Sequence, residues 1–188
     1  MLHPDIKKYE SPIEGSGLLA CKFIKKGTVI CRKGECDYKE LTSKELRNMP
    51  DRHLPYRVGK KIILNTDGSE YINHSCNPNT WWLDDDTMTA IRDIHPGEEI
   101  NYDYGTSEAH LWWHAKWECK CESDICRKVI TGRDCLDPAF QERYRGHLPS
   151  WTVTFINENR GIRGYFFNQL YIFIRMSYWL LIKMRSIL

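Results

Sequence analysis

The chain has almost no excess of charge: 27 Lys and Arg stand against 25 Asp and Glu, a formal net charge of +2 over 188 residues. That balance argues against a broad nucleic-acid surface, and any charged partner would have to be met by a local patch. No internal repeat or low-complexity linker divides the chain, so it reads as about one domain with an appendage, large enough to bury a core. No apolar segment precedes Pro4-Asp5, so no secretory leader and no oxidising compartment is expected.

Against these absences stand eight cysteines: Cys21, Cys31, Cys36, Cys76, Cys119, Cys121, Cys126 and Cys135. In a reducing compartment, clustered thiols read as a metal site rather than a disulfide framework. Cys119, Cys121 and Cys126 form C-x-C-x4-C, three thiols within eight residues. A closed zinc site wants four Cys or His ligands in a tetrahedron, so the fourth must come from elsewhere. Cys76, within Tyr71-Ile-Asn-His-Ser-Cys-Asn-Pro-Asn79, and Cys135 compete for that place. Binding would fold the segment Lys116–Gly132 onto the domain, because site formation and folding are linked.

The pattern of elements is mostly β (α+β). Gly17–Cys21, Val29–Cys31 and Lys61–Leu64 read as short strands, separated by turns at Ile24–Thr28 and Asn65–Gly68. Thr42 and Glu45 have capping-box spacing, and Ser43–Met49 is expected to be a short helix stopped by Pro50. Trp81–Leu83 and Met88–Ile91 flank the acidic tip Asp84–Asp86 as a hairpin. Ile100–Tyr104 alternates like a half-buried strand. Asp137-Pro138 suits an N-cap and first helical position, with Gly146 as the stop.

Residues 164–188 are apolar around the whole helical circumference, with Arg175, Lys183 and Arg185 as their charges. Such a helix is buried or in lipid. Arg175 near its middle would cost about 2.5–3.5 kcal/mol on insertion scales. A membrane-associated tail and a helix packed on the domain both stay open.

Four motifs stand in one order: Glu14-Gly-Ser-Gly-Leu-Leu-Ala20, Tyr71–Asn79, Gly97-Glu-Glu-Ile-Asn-Tyr-Asp-Tyr-Gly105 and the C-x-C-x4-C. Together they resemble the SET-domain family of protein-lysine N-methyltransferases with a post-SET zinc segment, over about residues 3 to 132. A dinucleotide-binding reading of the G-x-G fails, since the third glycine is missing and the motif opens into a strand.

The resemblance implies a SET-type β-fold of short sheets with a pseudoknot-like chain crossing over residues 3–105. A post-SET zinc segment (115–132), a helical C-terminal extension (133–163) and the apolar tail (164–188) would follow. It implies S-adenosylmethionine lying along Gly15, Ser16, Gly17 and Leu18, where absent side chains let the backbone approach. Asn73 and His74 would hold its amino-acid and adenine ends, and Zn2+ would sit on Cys76, Cys119, Cys121 and Cys126. Tyr104 resembles the catalytic tyrosine, at the meeting point of cofactor and substrate. Tyr102, two residues earlier on the same strand face, resembles the family's Tyr/Phe switch and implies monomethylation. Trp112, Trp113 and Trp117 fall where family members place channel-wall or adenine-stacking aromatics, with core packing as the alternative.

The implied partner is a protein presenting a lysine, a histone tail or another protein, with no direct nucleic acid. The implied location is intracellular, nuclear in a eukaryote and cytoplasmic otherwise. The sequence also departs from the family pattern. Glu122 stands where the family has glycine after C-x-C, and Arg127-Lys128 where it has Arg-Gly. If that glycine position has positive φ, Glu122 costs about 1 kcal/mol. No cysteine-rich pre-SET region precedes the domain, and the segment 38–60, which selects substrate in the family, carries no readable signal. Two rival readings remain: a zinc-stabilised interaction module without activity, and a nucleic-acid-binding zinc protein, which the charge balance disfavours.

Overall fold

A computed structural model describes residues 1–35, 37–48, 56–58, 61–109 and 117–160. They fall into two compact units. Unit 1 takes Met1–Asn73 and Pro78–Tyr102; unit 2 takes His74–Asn77 and the chain from Asp103 onward. The chain therefore leaves unit 1 for four residues, returns, and leaves again.

Unit 1 is built from short strands. They are β1 (Ile6–Glu10), β2 (Ser16–Ala20), β3 (Val29–Arg32) and β4 (Tyr38–Glu40), followed by helix α1 (Ser43–Asn48). Next come β5 (Tyr56–Val58), β6 (Lys61–Asn65), β7 (Asn73–His74), β8 (Thr80–Trp82), β9 (Thr87–Ala90) and β10 (Glu99–Tyr102). Strand β7 is where the chain passes from one unit to the other. Antiparallel pairing puts β2 between β1 and β10, β9 between β3 and β8, and β6 between β4 and β5. Ile100 and Tyr102 of β10 are buried while Glu99 and Asn101 are half-buried, the alternation a pleated strand imposes. Leu18, Ile24, Ile30, Trp82, Met88, Ile94 and Ile100 are buried and form the centre of the unit.

Local signals act as their chemistry requires. The Glu45 carboxylate accepts from the Thr42 N–H at 2.8 Å and the Thr42 hydroxyl accepts from the Glu45 N–H at 3.2 Å, a complete capping box. The hairpin tip closes on Asp84 Oδ1, which accepts from the Asp86 and Thr87 N–H groups at 2.8 and 2.7 Å.

Strand β10 ends at Tyr102, two residues short of the expected strand. The reason is Asp103, whose carboxylate accepts from the Gly105 N–H at 3.0 Å and starts a 3-10 turn over Tyr104–Thr106. Tyr102 and Tyr104 therefore do not share a strand.

Unit 2 contains β11 (Trp117–Glu118) and β12 (Val129–Ile130), paired antiparallel, then α2 (Pro138–Arg143) and α3 (Ser150–Glu158). Asp137 caps α2 by accepting from the Ala139 N–H at 2.9 Å, with Pro138 at the first helical position and Gly146 at φ 78° beyond the end. Ala109, Cys135, Phe140, Tyr144 and Ile156 pack as its core. The 164–188 tail, Trp112, Trp113 and the side chain of Trp117 lie outside the described residues. Among the described residues, no helix is long and apolar enough to cross a membrane.

Candidate functional site

In unit 1 the G-x-G strand and the Asn73 side chain come together. Asn73 Nδ2 faces the carbonyls of Glu14 and Ser16 at 3.3 and 3.2 Å and donates to Glu99 Oε1 at 2.8 Å. Glu99 also accepts from the Tyr9 and Ser11 hydroxyls at 2.6 and 2.8 Å. Burial and that carboxylate push the Tyr9 phenol up to about 12.

Gly17 is glycine for a reason the sequence does not show. A Cβ there would collide with the Glu99 carboxylate and lie 2.8 Å from Ser11 Cβ and 3.0 Å from Asn73 Nδ2. Gly15 holds the turn into β2 at φ 48°, and the Leu18 side chain is buried in the core. Tyr102 is buried edge-on against Trp82, ring centroids 5.9 Å apart.

Unit 2 gathers the thiols. Donor atoms of His74, Cys76, Cys119 and Cys121 lie within 4.8 Å of one another. Cys126 lies outside that set, though its thiol interacts with the side chains of Cys119 and Cys121. Cys135 does not. It is fully buried in the apolar core, and burial pushes its thiol up to about 12. Of the two candidates for the fourth thiol place, Cys76 is the one that lies beside Cys119 and Cys121.

These residues fit a tetrahedral metal. Cys76 Sγ and Cys119 Sγ are 3.8 Å apart, the edge of about 3.8 Å that four sulfurs make around zinc at about 2.3 Å. Main-chain N–H groups point at the sulfurs: Cys76 N–H at Cys121, Arg127 N–H at Cys76 and Lys128 N–H at Cys126, each at 3.4 Å. Such donors suit thiolates rather than thiols. The hydrogen bond with Cys119 drives the Cys76 thiol well down and the Cys119 thiol well up, an opposition between crowded sulfurs. A cation would remove that conflict.

Beside the thiols lies a buried ionic network. Asp103, fully buried, receives both terminal nitrogens of Arg127 at 2.7 Å, with the Tyr144 hydroxyl at 2.9 Å. Arg127 Nε reaches Asp134 at 2.9 Å, and the Thr131 hydroxyl donates to the other oxygen of Asp134 at 2.6 Å. The Arg127 guanidinium holds the Asp103 carboxyl below its ordinary range despite burial, which acts the other way. Arg143 ties α2 to the same place, donating to the Cys76 carbonyl at 2.8 Å. Tyr104 is buried, its ring edge-on to His74 at 5.3 Å, and its N–H donates to His74 Nδ1 at 3.1 Å.

Residues 15–105 match the family model of the SET domain. Residues 15–105 thus carry a SET domain. Its SET match opens at Gly15 and closes just after Tyr104, bracketing both the G-x-G strand and the 3-10 turn. The chain is 40% identical over 69 residues to the histone-lysine N-methyltransferase ASHH3 of Arabidopsis thaliana, covering 33% of this chain and 18% of that protein. It is 32% identical over 136 residues to the histone-lysine N-methyltransferase trr of Drosophila melanogaster, covering 63% of this chain and 5% of that one. The SET-domain chain thus spans a fifth or less of the length of these relatives. A crystal structure of KRYPTONITE in complex with mCHG DNA and SAH matches 68% of this chain and 29% of that one, at 18% identity and TM-score 0.48.

Sequence reasoning singled out the thiols, Asn73, His74 and Tyr104, and overlooked the acid–base pairing around them. Asp103 directly precedes Tyr104 and Arg127 directly follows Cys126. Opposite charges adjoining two motif residues were the available signal. Glu99, inside the third motif, is likewise the hub of the Asn73 contacts.

Proposed function

We propose that this chain transfers a methyl group from S-adenosylmethionine to the side-chain amine of a lysine in a protein, a histone among the candidates. The observation that carries the reading is the SET-domain match over the strand, turn and crossing that bear Gly15, Asn73, His74 and Tyr104. Relatives named as histone-lysine N-methyltransferases support it. S-adenosylmethionine, when bound, supplies an electrophilic methyl group.

What the chain contributes is alignment and dryness. Transfer to an amine is an in-line displacement, favoured by fixed approach and exclusion of water more than by a strong acid or base. The lysine must arrive neutral, and a buried aromatic such as Tyr104 disfavours its charged form. The Tyr104 hydroxyl positions the amine. Gly15, Ser16, Gly17 and Leu18 offer backbone to the methyl donor, with Asn73 at the strand edge.

Both imidazole nitrogens of His74 are engaged, with Tyr104 N–H and Cys76 Sγ, so its backbone and ring face are what remain for the donor. Zn2+ on Cys76, Cys119, Cys121 and Cys126 acts structurally. Tyr102, at the position of the family's Tyr/Phe switch, limits the product to monomethyl-lysine. In a eukaryotic cell the site of action is the nucleus. The 164–188 tail, if it binds a membrane, adds a second address.

Tyr104→Phe tests the reading. The variant should fold and bind S-adenosylmethionine by calorimetry, yet lose on the order of 10²-fold or more in methyl transfer to a histone mixture. Near-normal turnover would overturn the assignment of Tyr104.

A further inference from the structure

His74 meets the cysteine cluster with one ring nitrogen and Tyr104 with the other, and the position of its proton decides what it does. Nε2 lies 3.3 Å from Cys76 Sγ. That distance suits two neighbouring ligands on one metal, and it equally suits a hydrogen bond to a thiolate. The other nitrogen separates the two. Nδ1 receives the main-chain N–H of Tyr104 at 3.1 Å.

A backbone amide can only donate, so Nδ1 must present a lone pair. A neutral imidazole with its lone pair at Nδ1 carries its proton at Nε2, and a protonated nitrogen has nothing to give a metal. Metal-binding histidines ordinarily pass their second N–H to an acceptor. Here the second nitrogen faces a donor, the opposite polarity. A hydrogen at Nδ1 would confront the Tyr104 amide, and Asp103 Oδ1, 3.7 Å from that nitrogen, already serves Arg127 and Gly105.

We infer that His74 is not a ligand but a positioning residue, held in the Nε2–H form, which donates to the Cys76 thiolate and accepts from the Tyr104 N–H. The inference rests on the metal reading of the cysteines given above. It leaves the fourth ligand place to Cys126 and makes one imidazole the link between the metal centre and the turn that carries Tyr104. The hydrogen bond spreads charge off the Cys76 sulfur, and its loss would also strip the Tyr104 amide of its acceptor.

The deciding experiment uses the whole chain loaded with 113Cd and labelled with 15N at histidine. His74 should show the neutral Nε2–H pattern with no 113Cd–15N coupling, and the metal a four-sulfur environment. Coupling from cadmium into the ring, or an Nδ1–H form, would overturn the inference while leaving the metal reading intact. If the chain takes up no metal, both fall together.

A variant adds an independent readout. In His74→Ala, chelator-driven zinc release should quicken about tenfold or more, and amide exchange at Tyr104 should lose protection. Release and protection both unchanged would overturn the inference. Should that variant fail to fold, the wild-type spectrum decides by itself.

Discussion

Glu122 and Lys128 stand where the SET-domain family has glycine, and both adopt left-handed backbone, with φ 53° and 64°. Side chains there cost on the order of 1 kcal/mol each. Returning glycine removes that cost but gives the unfolded chain more freedom, worth about 0.4–1 kcal/mol. Glu122→Gly and Lys128→Gly should therefore each be neutral to mildly stabilising, by roughly 0.5 kcal/mol at most, in chemical denaturation of the metal-loaded protein. A clear loss would mean that these side chains make contacts outweighing the strain. Arg127 is the opposite case. Its planar fork serves Asp103 with two nitrogens and Asp134 with a third, a geometry an ammonium cannot copy. Arg127→Lys should cost on the order of 3 kcal/mol, because it leaves the buried Asp103 carboxylate poorly paired. A variant with unchanged denaturation midpoint would show that Asp103 has found another partner.

The elements divide by how local their causes are. Helix α1 is legible from the sequence because both halves of its capping box lie three residues apart, at Thr42 and Glu45. The Asp84 tip and the Asp137 cap are legible for the same reason. The end of β10 is not. Alternation carries the strand on to Tyr104, whereas Asp103 stops it with a capping carboxylate whose partner, Arg127, is 24 residues away. The role of Gly17 is equally hidden, since its reason lies on β10 in Glu99. Of the candidate site, residue types and the thiol set are readable, while the network that positions them arises only from long-range pairing. Strand β2 supplies its own test. Gly17→Ala should displace Glu99 and Asn73, cost about 1–3 kcal/mol by overpacking, and weaken S-adenosylmethionine binding measured by calorimetry. Unaltered affinity with unaltered stability would remove Gly17 from the account.

For the molecule as a whole, two solvent conditions reach separate units. Alkali acts on unit 1 through Tyr9, whose phenol is raised from 10.0 to about 12 in the fold. The neutral phenol is thus favoured by folding. Its contribution is complete below pH 10 and is lost as the pH climbs from 10 towards 12. Tyr9→Phe should flatten part of the fall in urea midpoint across that window, and identical slopes in both proteins would exclude Tyr9 as a cause. Chelation should act on unit 2. Removing the metal should expose the thiols of Cys76, Cys119, Cys121 and Cys126 to a thiol reagent and abolish amide protection in the β11–β12 segment, because site formation and folding are one process. Thiols as reactive before chelation as after it would argue against a metal.

The excursion of four residues at His74–Asn77 also sets an order of events during synthesis. Cys76 leaves the ribosome 43 residues ahead of Cys119, a wait on the order of seconds at translation speeds of about 5–20 residues per second. Throughout that interval Cys76 waits without the three later thiols of its cluster, while Cys21, Cys31 and Cys36 have already been made. Assembly of the thiol cluster should therefore need surroundings reducing enough to keep Cys76 from oxidising with those earlier thiols until the rest of the message has been read.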